Sequence, residues 1–190
     1  LITLSAVVLF LIFYPVIALE IGYFLNGPGK SLVAEQKIEG QDVMVPKDSE
    51  FGIVIPKIAA NARVIDNVNP GDSTAYMAAL KEGVAHALGT AYPGETGDTY
   101  LFAHSAGNFW EINQWNAVFY LLRELKPGDE VDIFYKEKRY IYIVYDQKTV
   151  NPDETGYLEA QTNFPRLTLQ TCWPPGTTLK RLLVFARLKT

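Results

Sequence analysis

The sequence is poor in the residues that hold small proteins together through covalent bonds or metal ions. It has 190 residues, of which one is cysteine and two are histidine. One cysteine excludes an intrachain disulfide framework, and three such residues are too few for a Cys/His zinc site. Any structural metal would therefore have to be bound by oxygen ligands, and we predict neither a metal site nor a cofactor. The single thiol is either a buried apolar side chain or a reactive group.

Basic residues are neither abundant nor clustered. Seventeen Lys and Arg against twenty-one Asp and Glu give a formal net charge of -4, and no basic run is present that would neutralise a phosphate backbone. Nucleic acid is therefore not an expected partner. Hydrophobic residues make up 48% of the chain and charged residues 20%, so the chain can fold around a core of its own.

Charge is absent from the first nineteen residues, LITLSAVVLFLIFYPVIAL, of which sixteen are apolar. As a helix they would be about 28 Å long, close to the hydrocarbon thickness of a bilayer. We therefore predict a transmembrane anchor at 1–25, which would attach the protein to the cell membrane by a single span. A cleaved signal peptide and a buried core helix are the alternatives. Residues 26–50 mix glycine, proline and charges without a period, as in a linker.

Beyond the linker, short apolar runs alternate with turn residues, and tyrosine, valine, isoleucine and phenylalanine dominate the runs. The predicted strands are FGIVIP, ARVID, TYLFAH, EVDIFYK, RYIYIVYD, LTLQTC and RLLVFARL. Two segments predict helices, namely 72–83 with Asp72 or Ser73 as its N-cap and 116–126. The predicted fold class is mainly β, a closed barrel or a sandwich over 51–190 with two short helices.

The single cysteine, Cys172, ends the strand LTLQTC and precedes a loop rich in proline and glycine, where a thiol is accessible. If this strand and the next one form a hairpin, Cys172 and Arg181 lie at the same edge. Arg187 is then about 20 Å away, at roughly 3.3 Å per strand residue. A nearby cation stabilises a thiolate and makes it a better nucleophile. The hairpin therefore favours Arg181 for this role, with a surface salt bridge as the alternative.

A base for the thiol must come from one of the two histidines. His104 ends the run TYLFAH in the way that Cys172 ends its strand, whereas His86 follows the first predicted helix. Sequence spacing does not choose between them, because the members of a catalytic constellation meet in space and not along the chain. For either histidine the alternative is a hydrogen-bonded structural role.

Taken together, these segments resemble the sortase family. TLQTC at 168–172 is similar to the TLxTC signature of sortases, and RLLV at 181–184 resembles the arginine-led final strand of the family. FAHS at 102–105 lies where sortases carry their catalytic histidine, and 83–97 resembles the segment before it. The likeness continues in order over 51–188.

The resemblance implies a closed eight-stranded barrel on a membrane anchor and a cysteine transpeptidase outside the cell membrane. It implies Cys172 as the nucleophile, His104 as the general acid and base, and Arg181 as the group that positions carbonyls and stabilises the oxyanion. Sortases cleave the Thr-Gly bond of a C-terminal signal similar to LPxTG through a thioacyl enzyme. The implied partners are surface proteins with such a signal and an amine acceptor, such as a cell-wall peptide or a pilin lysine.

Three further residues are assigned to substrate binding on the same basis. Thr171 adjoins the nucleophile, His86 has counterparts in several sortases, and Trp173 is a candidate for the groove wall. The sequence departs from the family at Ala103, where many sortases have glycine. It also lacks, within 26–50, the Asp-Pro-aromatic lid motif of the pilus-assembling class. That absence counts against a lidded pilin polymerase and leaves the sortase class open.

Calcium-responsive sortases carry an acidic cluster before the cysteine strand. Asp153 and Glu154 are candidates for it, but two carboxylates are too few to predict an ion.

Other functions remain open. An L,D-transpeptidase also uses cysteine and histidine, but the His-Gly-Cys pattern of that class is absent around Cys172. A membrane-tethered binding module with an inert cysteine is the non-enzymatic alternative. A cysteine peptidase, in which water resolves the acyl enzyme, is a third possibility.

Overall fold

The structure, a computed structural model, describes residues 35–38, 41–104, 118–158 and 162–190, together with Tyr14, Glu20, Ile21 and Leu25. Its strands are β1 (Glu35–Ile38), β2 (Gln41–Met44), β3 (Phe51–Ile55), β4 (Ala60–Val68), β5 (Val84–Ala87), β6 (Gly97–Phe102), β7 (Glu130–Tyr135), β8 (Lys138–Val150), β9 (Pro165–Trp173) and β10 (Lys180–Leu188). Within 35–190, the described part of the chain contains one α-helix, α1 (Ser73–Glu82), and Tyr14, Glu20, Ile21 and Leu25 are also helical.

Strands β3 to β10 close into a barrel in the order β10-β8-β7-β3-β4-β5-β6-β9, and β9 pairs with β10 to complete it. The pairs β4–β5 and β6–β9 are parallel, and the other barrel pairs are antiparallel. Because the sheet closes on itself, each of these eight strands has a neighbour on both sides. The prediction of a mainly β, closed eight-stranded barrel is confirmed. Separately, β1 and β2 pair as a small antiparallel sheet inside the segment predicted as a linker.

The two faces of β9 have different surroundings. Leu167 and Leu169 are fully buried in the core, whereas Gln170 and Cys172 remain half-buried. Successive side chains of a strand point to opposite faces. Leucine burial is worth roughly 1.5–3 kcal/mol per side chain, so the core fixes which residues of β9 face outward.

The predicted helix at 72–83 is confirmed as α1. Asp72 is the N-cap, and its carboxylate accepts hydrogen bonds from the backbone N–H groups of Thr74 at 3.0 Å and Ala75 at 3.1 Å. The helix ends before Gly83, where a Cβ atom would lie 2.4 Å from the carbonyl oxygen of Arg63. Only glycine allows the end of the helix to approach β4 this closely.

The second predicted helix, at 116–126, is wrong for the part of that segment that the structure describes. This part forms turns and one 3-10 helix, Leu122–Glu124. Phe119, Leu122 and Leu125 are all fully buried. Only Leu122 belongs to the 3-10 helix, whereas Phe119 lies in the turn before it and Leu125 is extended after it. The apolar side chains are buried, but the backbone that buries them is not α-helical.

The sequence analysis missed β5. Its four residues follow α1 after a single glycine and give no usable alternation, since all four are buried. The strand nevertheless links β4 to β6 in the barrel, and it carries His86.

The predicted anchor at 1–25 lies outside the described residues except for Tyr14, Glu20, Ile21 and Leu25. Among the helical residues that the structure describes, no span is both long and apolar enough to cross a membrane.

The parallel pairing of β6 with β9 is reinforced by a buried polar cluster. Asp98 on β6 lies opposite Arg166 on β9 and is 5% exposed. Arg166 Nη2 donates to Asp98 Oδ2 at 2.8 Å, and the hydroxyl of Thr168 lies within 2.9 Å of both carboxylate oxygens. Burial raises the pKa of Asp98, while Arg166 and Thr168 oppose that rise. The hydrogen bonds from Arg166 and Thr168 therefore offset the cost of burying this carboxylate.

We predict that Asp98→Ala lowers the free energy of unfolding by about 3 kcal/mol, because it leaves the partly buried guanidinium of Arg166 and the buried hydroxyl of Thr168 without their acceptor. Urea unfolding measures the change. Asp146→Ala, at an exposed position of β8, is the control and should change stability by less than about 0.5 kcal/mol. Equal effects of the two substitutions would contradict this prediction.

Candidate active site

The antiparallel hairpin of β9 and β10 brings Cys172 and Arg181 together. They are direct Cα partners in the register, whereas Arg187 pairs with Arg166 at the other end of the hairpin. Residues directly opposite each other in a sheet share a face. The expected proximity of Cys172 and Arg181, and the distance of Arg187 from both, are confirmed by this register.

The parallel pairing of β6 with β9 brings His104 to the same level. Phe102 is the Cα partner of Gln170, so two residues further along each chain lead to His104 and Cys172. The segment after β6 stays attached to β9, because the backbone N–H of Ala103 donates to the carbonyl oxygen of Gln170 at 3.1 Å. Cys172 on β9 and His104, two residues after the end of β6, therefore lie at the same end of the barrel.

Cys172, His104 and Arg181 line one cavity of about 490 Å³ on the outer face of β6, β9 and β10. Its apolar wall includes Tyr76, Met77 and Leu80 of α1 together with Leu158. The residues that complete the described lining are Pro70, Tyr100, Phe102, Ala103, Pro152, Glu154, Thr155, Gln170, Thr171, Gly176, Thr177 and Thr178. The cavity thus joins a thiol, an imidazole and a guanidinium to a groove with an apolar wall.

The electrostatics of Cys172 reflect two opposing effects. Burial raises the pKa of the thiol, and the charge of Arg181 partly offsets that rise. A thiolate in this place therefore depends on its cationic neighbour.

Two backbone carbonyls, one in the loop before β10 and one at the first residue of β10, hold the guanidinium of Arg181 in position. Its Nη1 donates to the backbone oxygens of Thr178 and Lys180, both at 3.1 Å. An arginine carries five N–H donors, so these two bonds orient the group and leave donors for a substrate oxygen. The loop before β10 and the first residue of β10 therefore set the direction of the guanidinium.

The structure does not bring His86 to the cavity. His86 is fully buried, and its Nδ1 lies 2.9 Å from Asp66 Oδ1. Its Nε2 lies 2.9 Å from the hydroxyl of Thr90 and 3.2 Å from the carbonyl oxygen of Ala91. The sequence left two histidines as candidates for the base, and the described cavity contains His104 only.

The other two residues assigned to substrate binding occupy different positions. Thr171 lines the cavity, is 2% exposed, and donates from its hydroxyl to the carbonyl oxygen of Ala103 at 3.0 Å. It thereby connects the nucleophile strand to the residue before His104. Trp173 packs against the hydrophobic core and is not among the described residues that line the cavity.

Acidic, histidine and cysteine side chains do not gather into a metal site in the part of the chain that the structure describes, where no group of three or more lies together. Glu154 lines the cavity as a single carboxylate.

Comparison with known proteins identifies the family. A model of the sortase domain family matches residues 53–189, which is most of the chain. The chain belongs to the sortase family. Members of this family are cysteine transpeptidases, and the thiol, imidazole and guanidinium of this sortase lie on the three segments whose motifs resemble theirs.

Individual relatives are distant. Sortase D of Bacillus subtilis (strain 168) is 27% identical over 139 residues, which cover 72% of this chain and 62% of that protein. Sortase C-1 of Actinomyces oris matches in structure with a TM-score of 0.63 at 27% identity and 76% coverage of each chain. The lid mutant of sortase A from Corynebacterium diphtheriae matches with a TM-score of 0.61 at 27% identity, covering 77% of this chain and 73% of that one. Because these names belong to three sortase classes, similarity alone does not assign the class of this sortase.

Sequence reasoning missed two polar pairs around the cavity. Thr168 and Asp98 connect β9 to β6, and Tyr100 donates to Gln170 inside the cavity itself. These pairs could be predicted from the sequence only if the parallel register were known. That register places Tyr100 opposite Thr168 and diagonal to Gln170.

We predict that Arg181→Gln raises the pKa of the Cys172 thiol further, because it removes the charge that offsets burial. Less thiolate would then be present at neutral pH, and iodoacetamide would alkylate Cys172 more slowly there. The pH dependence of alkylation should shift to higher pH. Arg187→Gln removes an arginine from the far end of the same strand and should leave the profile in place. If the wild type, Arg181→Gln and Arg187→Gln showed the same pH dependence of alkylation, the prediction would be contradicted.

A second prediction concerns the link between Thr171 and Ala103. Thr171→Val keeps the shape of the side chain but removes its hydrogen bond, which should cost about 1 kcal/mol of unfolding free energy and loosen the placement of His104. Thr171→Ser retains the hydroxyl and should preserve the bond. Chemical unfolding measures both variants. Thr171→Ser also loses a buried methyl group, which lowers its stability independently of the bond, so the decisive result is Thr171→Val: a Val variant as stable as the wild type would contradict this role.

Proposed function

We propose that the protein is a membrane-anchored cysteine transpeptidase of the cell surface, which cleaves a C-terminal LPxTG-like sorting signal and transfers the protein to an amine. The observation that carries the proposal is the register of β6, β9 and β10. It brings Cys172 on β9, Arg181 on β10 and His104 just after β6 into one cavity. A reactive thiol needs a base or cation beside it, and the cavity contains both.

In the first half of the proposed reaction, the Cys172 thiolate attacks the carbonyl carbon of the Thr-Gly bond. Arg181 stabilises the oxyanion that forms as the C–S bond is made. The C–N bond then breaks, and protonated His104 gives its proton to the departing glycine nitrogen. The product is a thioacyl enzyme, in which the threonine carbonyl is attached to sulfur.

In the second half, an amine attacks the thioester carbonyl and His104 accepts its proton. The C–S bond breaks, and Cys172 returns as the thiolate. Covalent catalysis thus divides one acyl transfer into two steps. The lone cysteine supports this assignment, since no second thiol in the chain can consume it by forming an intrachain disulfide.

The same proposal assigns a substrate, an amine acceptor and a location in the cell. The apolar wall formed by α1 and Leu158 suits the Leu-Pro part of a sorting signal. The acceptor is an amine such as a cell-wall peptide or a pilin lysine. The uncharged N-terminal run would hold the enzyme in the cell membrane, with its barrel on the outer side.

We predict that the full chain in a mild detergent forms an acyl adduct with LPxTG-like peptides, detected by intact-protein mass. A small amine should discharge that adduct. Cys172→Ala should give no adduct, while His104→Ala and Arg181→Ala should slow its formation by about 100-fold or more, the usual range for an acid–base group or an oxyanion donor.

Arg187→Ala serves as the matched control for Arg181→Ala and should retain activity. An adduct that water discharges, with no product from the amine, would favour the peptidase alternative. A Cys172 that neither acylates nor reacts with an alkylating agent would favour the binding module. Full activity of Cys172→Ala would refute the proposal.

A further inference from the structure

Two polar side chains that the sequence motifs do not assign, Tyr100 and Gln170, meet in the cavity. Tyr100 donates from its hydroxyl to Gln170 Oε1 at 2.7 Å, and both residues line the cavity with Cys172. Tyr100 is 1% exposed, whereas Gln170 is half-buried. Gln170 precedes the nucleophile by two residues, so its side chain lies on the same face of β9.

The hydroxyl of Tyr100 is the donor of this hydrogen bond. Burial raises the pKa of Tyr100, and the carboxylate of Asp98 adds to that rise, while Arg181 and Arg166 oppose it. The phenol therefore keeps its proton. That proton is therefore available to Gln170, and Oε1 is the atom that receives it.

Once Oε1 is occupied, the orientation of the amide is fixed. An amide carries two N–H donors on the opposite side from its oxygen. Among the residues that the structure describes, none accepts a hydrogen bond from Gln170 Nε2. Within this described part of the cavity, the two N–H donors have no protein acceptor and can donate to a ligand.

The position of Gln170 indicates which part of a ligand it meets. Two residues along a strand correspond to about 6.6 Å, and an extended peptide presents a carbonyl group about every 3.3 Å. The apolar wall of Tyr76, Met77 and Leu80 belongs to the same cavity. In an LPxTG-like signal, the apolar residues lie on the acyl side of the cleaved bond, so that side of the peptide passes Gln170.

We propose that Gln170 donates a hydrogen bond from its amide NH2 to a main-chain carbonyl oxygen on the acyl side of the bound signal. Tyr100 is the positioning residue that fixes the amide for this contact. The inference rests on the function proposed above. It adds a substrate contact made by the variable position of the TLxTC signature, which in this chain is a glutamine.

The test is steady-state transpeptidation by the full chain with LPATG and LPNTG peptides and a small amine. Gln170→Met should raise KM by about 3- to 10-fold for both peptides, as expected for the loss of one neutral hydrogen bond, with kcat nearly unchanged. Gln170→Glu should raise KM more, since a carboxylate repels the carbonyl oxygen. Equal losses on the two peptides identify a main-chain contact.

Tyr100→Phe should raise KM by a smaller factor and leave the alkylation rate of Cys172 unchanged. In a Gln170→Met background it should have no further effect, because Tyr100 acts through the amide. Tyr142→Phe is the matched control. Tyr142 is a fully buried tyrosine whose hydroxyl accepts from the backbone N–H of Gly94 and which is not among the described cavity residues. It should leave KM unchanged.

The inference is overturned if Gln170→Met retains the wild-type KM, if only the asparagine peptide is affected, or if the effects of Tyr100→Phe and Gln170→Met simply add. A wild-type chain that forms no Cys172-dependent adduct is a different result. It would overturn the proposed function itself, and the inference with it.

Discussion

The parallel pairing of β6 with β9 is the constraint on which the candidate site depends. Hydrogen bonds along the ladder set the register, and the buried contact of Asp98 with Arg166 and Thr168 reinforces it. A slip by one residue would turn every side chain of β9 to the other face. Cys172 would then point into the core and Leu167 outward. The same cluster that stabilises the barrel therefore keeps the thiol in the cavity.

Around the paired strands β6 and β9, each neighbouring element supplies one property of the site. Strand β10 supplies a cation through its register with β9, and two backbone carbonyls, one in the loop before β10 and one at its first residue, orient that cation. Helix α1 supplies an apolar wall, and its distance from β4 is set by the close contact at Gly83. The hydroxyl of Thr171 connects β9 to the segment that carries His104. The two threonines of the TLQTC motif thus both connect strands, one at Asp98 and one at Ala103.

The sequence predicted the parts of the site that depend on local pairing. Cys172 and Arg181 end and begin consecutive strands, so a hairpin was enough to bring them together. The choice between His86 and His104 was left open by the residues themselves, because it depends on the parallel pairing of β6 with a strand more than sixty residues away in the chain. The resemblance to sortases favoured His104, and the cavity contains it. His86 lies instead on β5, a strand too short to show alternation.

The helices show a second limit of sequence reasoning. Asp72 marked the start of α1, because a carboxylate N-cap is a local signal. The segment before Pro127 also showed apolar spacing, yet its described part forms turns and a single 3-10 helix, Leu122–Glu124. Apolar spacing predicted that these side chains are buried, but it did not determine the backbone conformation that buries them.

The alternation along β9 also separates the residues that fill the core from the residues that line the cavity. Leu167 and Leu169 fill the interior, while Gln170 lies between Leu169 and Thr171 and faces outward. A mutation at Gln170 therefore changes a group in the cleft without changing the volume of the core. The strength of the proposed main-chain contact can therefore change at this position under little selection from folding, so related barrels can come to bind their peptides with different affinities while their interiors stay alike.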